Sequence, residues 1–150
     1  MRMKSVRRLM PLVAVLALTA PALAQEGHPL KGTWYGDFGT GTERHDLTVA
    51  MDWEDNQVTG FVHPGPNAIR LKSAALDVTP GVPAPEGQNS ITGTPPEFRV
   101  RFEVDVPNSA GGTDSFLFEG MIRNPVAGNR SIVGTWTCGD ARGNFQIRRL

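Results

Sequence analysis

The sequence predicts an all-β fold, an eight-stranded antiparallel up-and-down barrel, with a strongly curved β-sandwich as the alternative. Three observations carry that prediction. All 17 glycines and ten of the 12 prolines follow residue 24, so turn formers punctuate this region densely. Between them, short runs alternate apolar and polar residues with a period of two, as strands with one face in a core require. No stretch in this region sustains a helical period.

The first segment, Gly32 to Phe38, sets Trp34, Gly36 and Phe38 on one face. In Arg44 to Trp53, Leu47, Val49, Met51 and Trp53 oppose Asp46, Thr48 and Asp52, and Glu54-Asp55-Asn56 turns the chain. Gln57 to His63 returns with Val58, Phe61 and Val62, and Gly60 marks a bulge or a close contact that lets the sheet bend. Pro64-Gly65-Pro66-Asn67 ends that strand. Across Ala68 to Val78 the apolar phase changes between Leu71 and Leu76, which predicts a bulge near Ser73 to Ala75.

The clearest strand is Glu97 to Val106, where Phe98, Val100, Phe102, Val104 and Val106 alternate with Arg99, Arg101, Glu103 and Asp105. Ser115 to Arg123 carries Phe116, Phe118 and Ile122 on one face, and Asn124 to Asn129 forms the next turn. Ser131 to Thr137 and Asn144 to Leu150 make the last hairpin, with Phe145, Ile147 and Arg149 on one face. Eight consecutive strands joined mostly by short turns are best closed on themselves, because closure removes exposed edges. Thr79 to Pro96 is longer than an ordinary connection. It either crosses one mouth of the barrel or is a disordered crossover without a role.

Four basic residues, Arg2, Lys4, Arg7 and Arg8, precede an apolar run from Leu9 through Ala20, and Ala22-Leu23-Ala24 supplies a small-x-small cleavage pattern. That order is a secretory signal. A membrane-spanning helix needs about 20 apolar residues, whereas this run is shorter and is flanked or interrupted by Pro11 and Pro21. The expected organisation is a cleaved signal peptide over 1–24, an extended N-terminal arm over 25–31 and one barrel domain over 32–150. The protein is thus expected in the periplasm or outside the cell, with no membrane insertion after cleavage.

Cleavage leaves eleven basic residues against fifteen acidic ones, a net charge of −4. Such a surface argues against nucleic acid or an anionic membrane as partner. Cys138 is the only cysteine, so no intrachain disulfide forms. It reads as a small half-buried residue near a turn, with an intermolecular disulfide or a reactive thiol as the sharper alternatives.

The tripeptide Gly32-Thr33-Trp34 recurs as Gly134-Thr135-Trp136. Glycine lets the chain enter the sheet closely, and the following Trp plugs one end of a small barrel. If the first and last strands pair, Arg149 stacks on Trp34. This combination resembles the calycins, the lipocalin and streptavidin-like barrels, in which Gly-x-Trp opens the first strand and a basic residue of the last packs across that Trp. Gly32, Trp34 and Arg148 or Arg149 carry the resemblance. The segments Gly32 to Gly36, Gly134 to Trp136 and Phe145 to Ile147 also look like small bacterial lipocalin-like domains, found alone or fused to secreted hydrolases. The resemblance implies a barrel but no biotin site, since streptavidin's polar ligand residues have no counterparts here.

No nucleophile elbow, zinc-protease, Cys-x-x-Cys or phosphate-loop motif occurs. His28, His45 and His63 are scattered. Only His45 and His63 fall on neighbouring strands, near Asp46 or Asp52, and they read as solvated surface residues rather than zinc ligands. Glu103 and Asp105 share a face with Arg99 and Arg101, where cross-strand pairing with Glu119 or Arg123 accounts for them. The sequence therefore supports no metal or cofactor. It leaves enzymatic activity open but without a motif behind it.

Two functions compete. The first is a binding module that holds a small apolar or amphipathic molecule in or at the mouth of the barrel, with Met51, Trp53, Phe98, Phe102, Phe116 and Phe118 as candidate ligand-binding residues and Trp34 and Arg149 as the structural plug. The second is a protein-interaction module, an inhibitor or accessory subunit of a secreted hydrolase, using the Thr79 to Pro96 loop or the Gln25 to Lys31 arm. Small periplasmic inhibitors with calycin-like barrels give the analogy, although the disulfide common in them cannot form here.

Overall fold

A computed structural model describes residues 27–87, 93–125 and 128–150. The signal-peptide expectation for 1–24 lies outside the described residues. These residues form eight antiparallel strands and no helix: β1 (Gly32–Thr40), β2 (Glu43–Glu54), β3 (Gln57–Val62), β4 (Ile69–Thr79), β5 (Glu97–Pro107), β6 (Thr113–Arg123), β7 (Ser131–Cys138) and β8 (Ala141–Arg149). Each pairs with its sequence neighbours, and β1 pairs with β8, so the sheet is a closed up-and-down barrel rather than a sandwich.

The local chemistry explains the turns. Asp55 and Asn56 both take left-handed backbone angles, φ 49° and 63°, which give the tight hairpin between β2 and β3 a twist matching its strands. His63, expected to close β3, also has φ 49° and instead leaves the strand after Val62, while its N–H still reaches the Thr48 carbonyl at 2.7 Å. The bulge in β4 falls at Lys72, slightly earlier than predicted: Leu71 pairs with Val104 and Ser73 with Glu103, leaving Lys72 between them. The shift puts Leu71, Ala74 and Leu76 on the core side despite their changed phase.

Closure rests on the β1–β8 seam. Trp34 faces Arg149, Gly36 faces Ile147 and Phe38 faces Phe145 across it, the pairing the two face patterns predict. A Cβ on Gly36 would sit 1.9 Å from the Gln146 carbonyl oxygen, so only glycine permits this approach. Arg44 clamps the outside of the seam, bonding Asp37 on β1 and Asn144 on β8.

The two Gly-Thr-Trp copies stop opposite ends of the barrel. Trp34 is fully buried and its indole N–H donates to the Leu30 carbonyl at 2.8 Å. Trp136 donates to the Gly39 carbonyl at 3.3 Å, with Gly143 opposite it leaving room for the ring. Arg149 lies against Gly32, whose Cβ would meet its Nε at 2.9 Å.

Over its described residues the N-terminal arm is not extended. His28 to Lys31 form a tight turn, with the Lys31 N–H bonded to the His28 carbonyl at 2.8 Å, and Leu30 is fully buried in the barrel mouth. The long β4–β5 connection is pinned at its base by a bridge between Val82 and Thr94, and none of its described residues is buried. Glu103 and Asp105 find partners other than Glu119 and Arg123. Arg101 meets Glu103 at 3.0 Å, Lys72 approaches both acids, and the Ser115 hydroxyl donates to Asp105 at 2.6 Å.

Replacing Trp34 by Ala removes a fully buried indole and its hydrogen bond, and is expected to lower stability by about 3–5 kcal/mol. Chemical denaturation of the two proteins measures the difference, and unchanged unfolding would show that the indole does not seal this mouth.

Candidate binding site

Aromatic rings pack against one another inside the barrel. Phe102 and Phe118 stack at 4.7 Å between ring centroids, and Phe145 meets both edge-on at 5.9 and 5.3 Å. Towards the other mouth Phe38, Phe116 and Trp136 continue the cluster at 5.6 to 6.0 Å. Such edge-to-face and offset contacts use the rings as packing. Phe102 and Phe118 are thus core residues with essentially no exposed surface, and Phe98 and Phe116 pack partly buried against the same core.

Space opens in the wall instead. β3 has six residues and β4 eleven, yet only Phe61 with Arg70 and Val62 with Ile69 pair between them. Beyond Arg70 the bulge at Lys72 turns β4 away, and the two strands part towards the mouth that holds the N-terminal turn. The parting is a cleft of about 450 Å³. Val58 and Leu71, both nearly buried, line it together with the half-buried Ala74 and Leu76.

Trp53 and His28 form one wall. Their rings stack at 4.0 Å with an interplanar angle of 6°, and Trp53 keeps 39% of its surface exposed. The hairpin places Trp53 past Met51, on the inward face of β2 at the level where β3 begins. The turn supplies His28. Its Nδ1 accepts the Leu30 N–H at 3.3 Å, which requires a neutral ring, and burial lowers its pKa below the ordinary 6.5.

Two cations, Arg70 and Lys72, complete the lining with neutral polar groups, and no carboxylate is among it. A neighbouring depression of about 520 Å³ over β2 and β3 is lined by Met51, Asp52, Phe61 and, again, Arg70. There Lys31 bonds Asp52 at 2.9 Å and, with the Trp53 N–H, holds that carboxyl below its usual range.

Of the residues the sequence nominates for a ligand, Trp53 alone stands exposed at the cleft; Met51 is a buried core residue beneath the neighbouring depression, and Phe98, Phe102, Phe116 and Phe118 belong to or pack against the same core. Sequence reasoning missed His28, Arg70, Leu71 and Lys72. The usable signals were the phase change after Leu71 and a large aromatic, Trp53, beside a polar turn.

The remaining reactive groups lie elsewhere. Cys138 is half-buried at the end of β7, and burial, then the charge of Asp114, pushes its thiol pKa up, away from nucleophilic chemistry. His45 lies 3.9 Å from Glu43 and beside Phe38. Among the described residues no three His, Cys, Asp or Glu side chains converge as a metal site would need. Comparison with protein families, curated proteins and solved structures gives no match.

The neutral form of His28 sets a pH expectation. Its folded pKa is depressed, so its contribution to stability is complete above the unfolded value of 6.5 and is lost as pH falls through the folded one. Asp52 shifts in the same sense but acts at more acid pH, around and below its ordinary 3.8. Thermal unfolding followed from neutral to mildly acid pH should show a loss in the native protein that the non-titrating His28→Phe variant lacks. Parallel curves would remove His28 from the account.

Proposed function

We propose that this chain is an exported binding module that holds one small amphipathic molecule in the cleft between β3 and β4, at the side of the mouth rather than inside the barrel. The single observation that carries the reading is the parting of these strands over an apolar lining beside the His28–Trp53 stack. A volume of about 450 Å³ lies in the range of small-molecule sites, which join an apolar floor to a few polar groups. Kinship with the calycins belongs to the same proposal. Supporting it are the eight-stranded closed barrel and the juxtaposition of Trp34 with Arg149.

Native mass spectrometry of residues 25–150, recovered from the cell envelope without denaturation, tests the reading. The expected result is an excess mass on the order of a few hundred daltons, fitting a pocket of this class, that disappears in an Ala75→Trp variant, which fills the cleft from an exposed position. A bare native protein, or an excess mass indifferent to Ala75→Trp, would count against it.

One observation favours the protein-interaction reading as a second proposal. Val82, pinned by Thr94 at the base of the long loop, stands 64% exposed, and Val78 close by in sequence is 51% exposed. A protein partner captured by the native chain and lost with Val82→Glu would support it. Capture that ignores this substitution would exclude the loop base.

A further inference from the structure

Resting on that reading, we propose that the molecule held between β3 and β4 is a small organic acid: a planar apolar body against Trp53 with a carboxylate, sulfonate or similar anionic group on Arg70 and Lys72. The lining contains both of these cations and no carboxylate, although the chain after residue 24 carries a net charge of −4. A local positive site on an acidic protein selects for an anion.

The two cations are available to different degrees. The Arg70 side chain makes no hydrogen bond or ion pair among the described residues. Its guanidinium offers paired donors that match a carboxylate or sulfonate edge. Lys72 lies 3.8 Å from Glu103 and 3.6 Å from Asp105, with half of its side chain exposed. Ion pairs this loose and wet contribute little, so the ammonium can turn to an anion in the cleft at small cost.

The floor and wall define the other end of the ligand. Val58, Leu71 and Leu76 present aliphatic surface, and Trp53 presents a ring already held in plane by His28. A flat apolar body lies well against such a surface, because aromatic faces stack with little loss of side-chain freedom. The neutral donors and acceptors of Asn56 and Gln57 lie at the turn end of the cleft and add no charge that would oppose an acid.

Two fluorescent probes that differ only in the acid test the proposal on the folded chain 25–150. They are 8-anilinonaphthalene-1-sulfonate and its uncharged counterpart, N-phenyl-1-naphthylamine. The sulfonate should bind the native protein more tightly and weaken with added salt. The double variant Arg70→Gln, Lys72→Gln should lose about tenfold or more in sulfonate affinity, the scale of one charged hydrogen bond, and leave the neutral probe unchanged. Gln57→Glu, isosteric at the cleft rim, should disfavour the sulfonate in the same selective way, so the result does not hang on one variant. Thermal unfolding confirms that each variant remains folded.

If both probes bind alike and neither variant separates them, the acid preference is overturned while the cleft remains a binding site. If neither probe binds the native protein, or if Trp53→Ala leaves both affinities unchanged, the cleft reading itself falls and the acid preference falls with it.

Discussion

Closure between the first and last strands is the constraint from which the remaining structure follows. Eight strands enclose a bore only wide enough for side chains, so the backbones on opposite sides of the seam must meet closely while large rings fill the centre. Gly36 meets the first demand, since any side chain there would strike the Gln146 carbonyl. Gly120 meets the second, because its missing Cβ leaves room for the edge of Phe145, 3.1 Å from where that atom would stand. Small residues on one wall are thus matched to aromatic residues on the other, and Trp34 and Trp136 end the column at its two mouths.

A column packed in this way leaves no place for a ligand among Phe102, Phe118 and Phe145, and it decides where space can arise. Seven of the eight strand junctions carry six or more paired positions, whereas β3 and β4 share two. The cause lies in phase. The pairs that remain are those beside His63, and past Arg70 β4 must accommodate an extra residue at Lys72 to keep its apolar side chains inward against β5. The bulge satisfies the β5 side of β4 and in doing so carries its other edge away from β3.

The strands, their order and the seam partners were legible because each strand keeps its own period-two code, and that code survives whatever the neighbouring strand does. Gly60 shows the limit of such reading: the sequence allowed a bulge or a close contact, and the structure has the close contact, with the Ala50 carbonyl 2.1 Å from a Cβ position. The cleft was not legible. Alternation says which face of Phe98 or Phe102 is inward, but not whether inward rings meet one another or a ligand, and that depends on the width of the closed ring. Nor does it say how many positions two strands of unequal length share. Leu30 escaped for a different reason, since a single apolar residue in a turn has no period at all, and only its burial under Trp34 reveals its role.

An open junction in a barrel demands its own explanation, because unpaired strand edges invite pairing with other chains. Charged side chains are a common defence, and Arg70 and Lys72 serve that purpose on β4 whatever else they do. Edge protection accounts for charge on this strand, Lys above all, but sets no demand on what lies opposite it. Here the cleft lining carries positive charge alone, while Glu103 and Asp105 on β5 only graze Lys72, and Asp52 and Glu54 line the neighbouring depression that shares Arg70. Protection also gives no reason for an indole to remain 39% exposed beside the gap, held in plane by a histidine. Cations beside a fixed, exposed aromatic face are what recognition of an acidic, flat molecule needs, and edge defence gives no reason for the face.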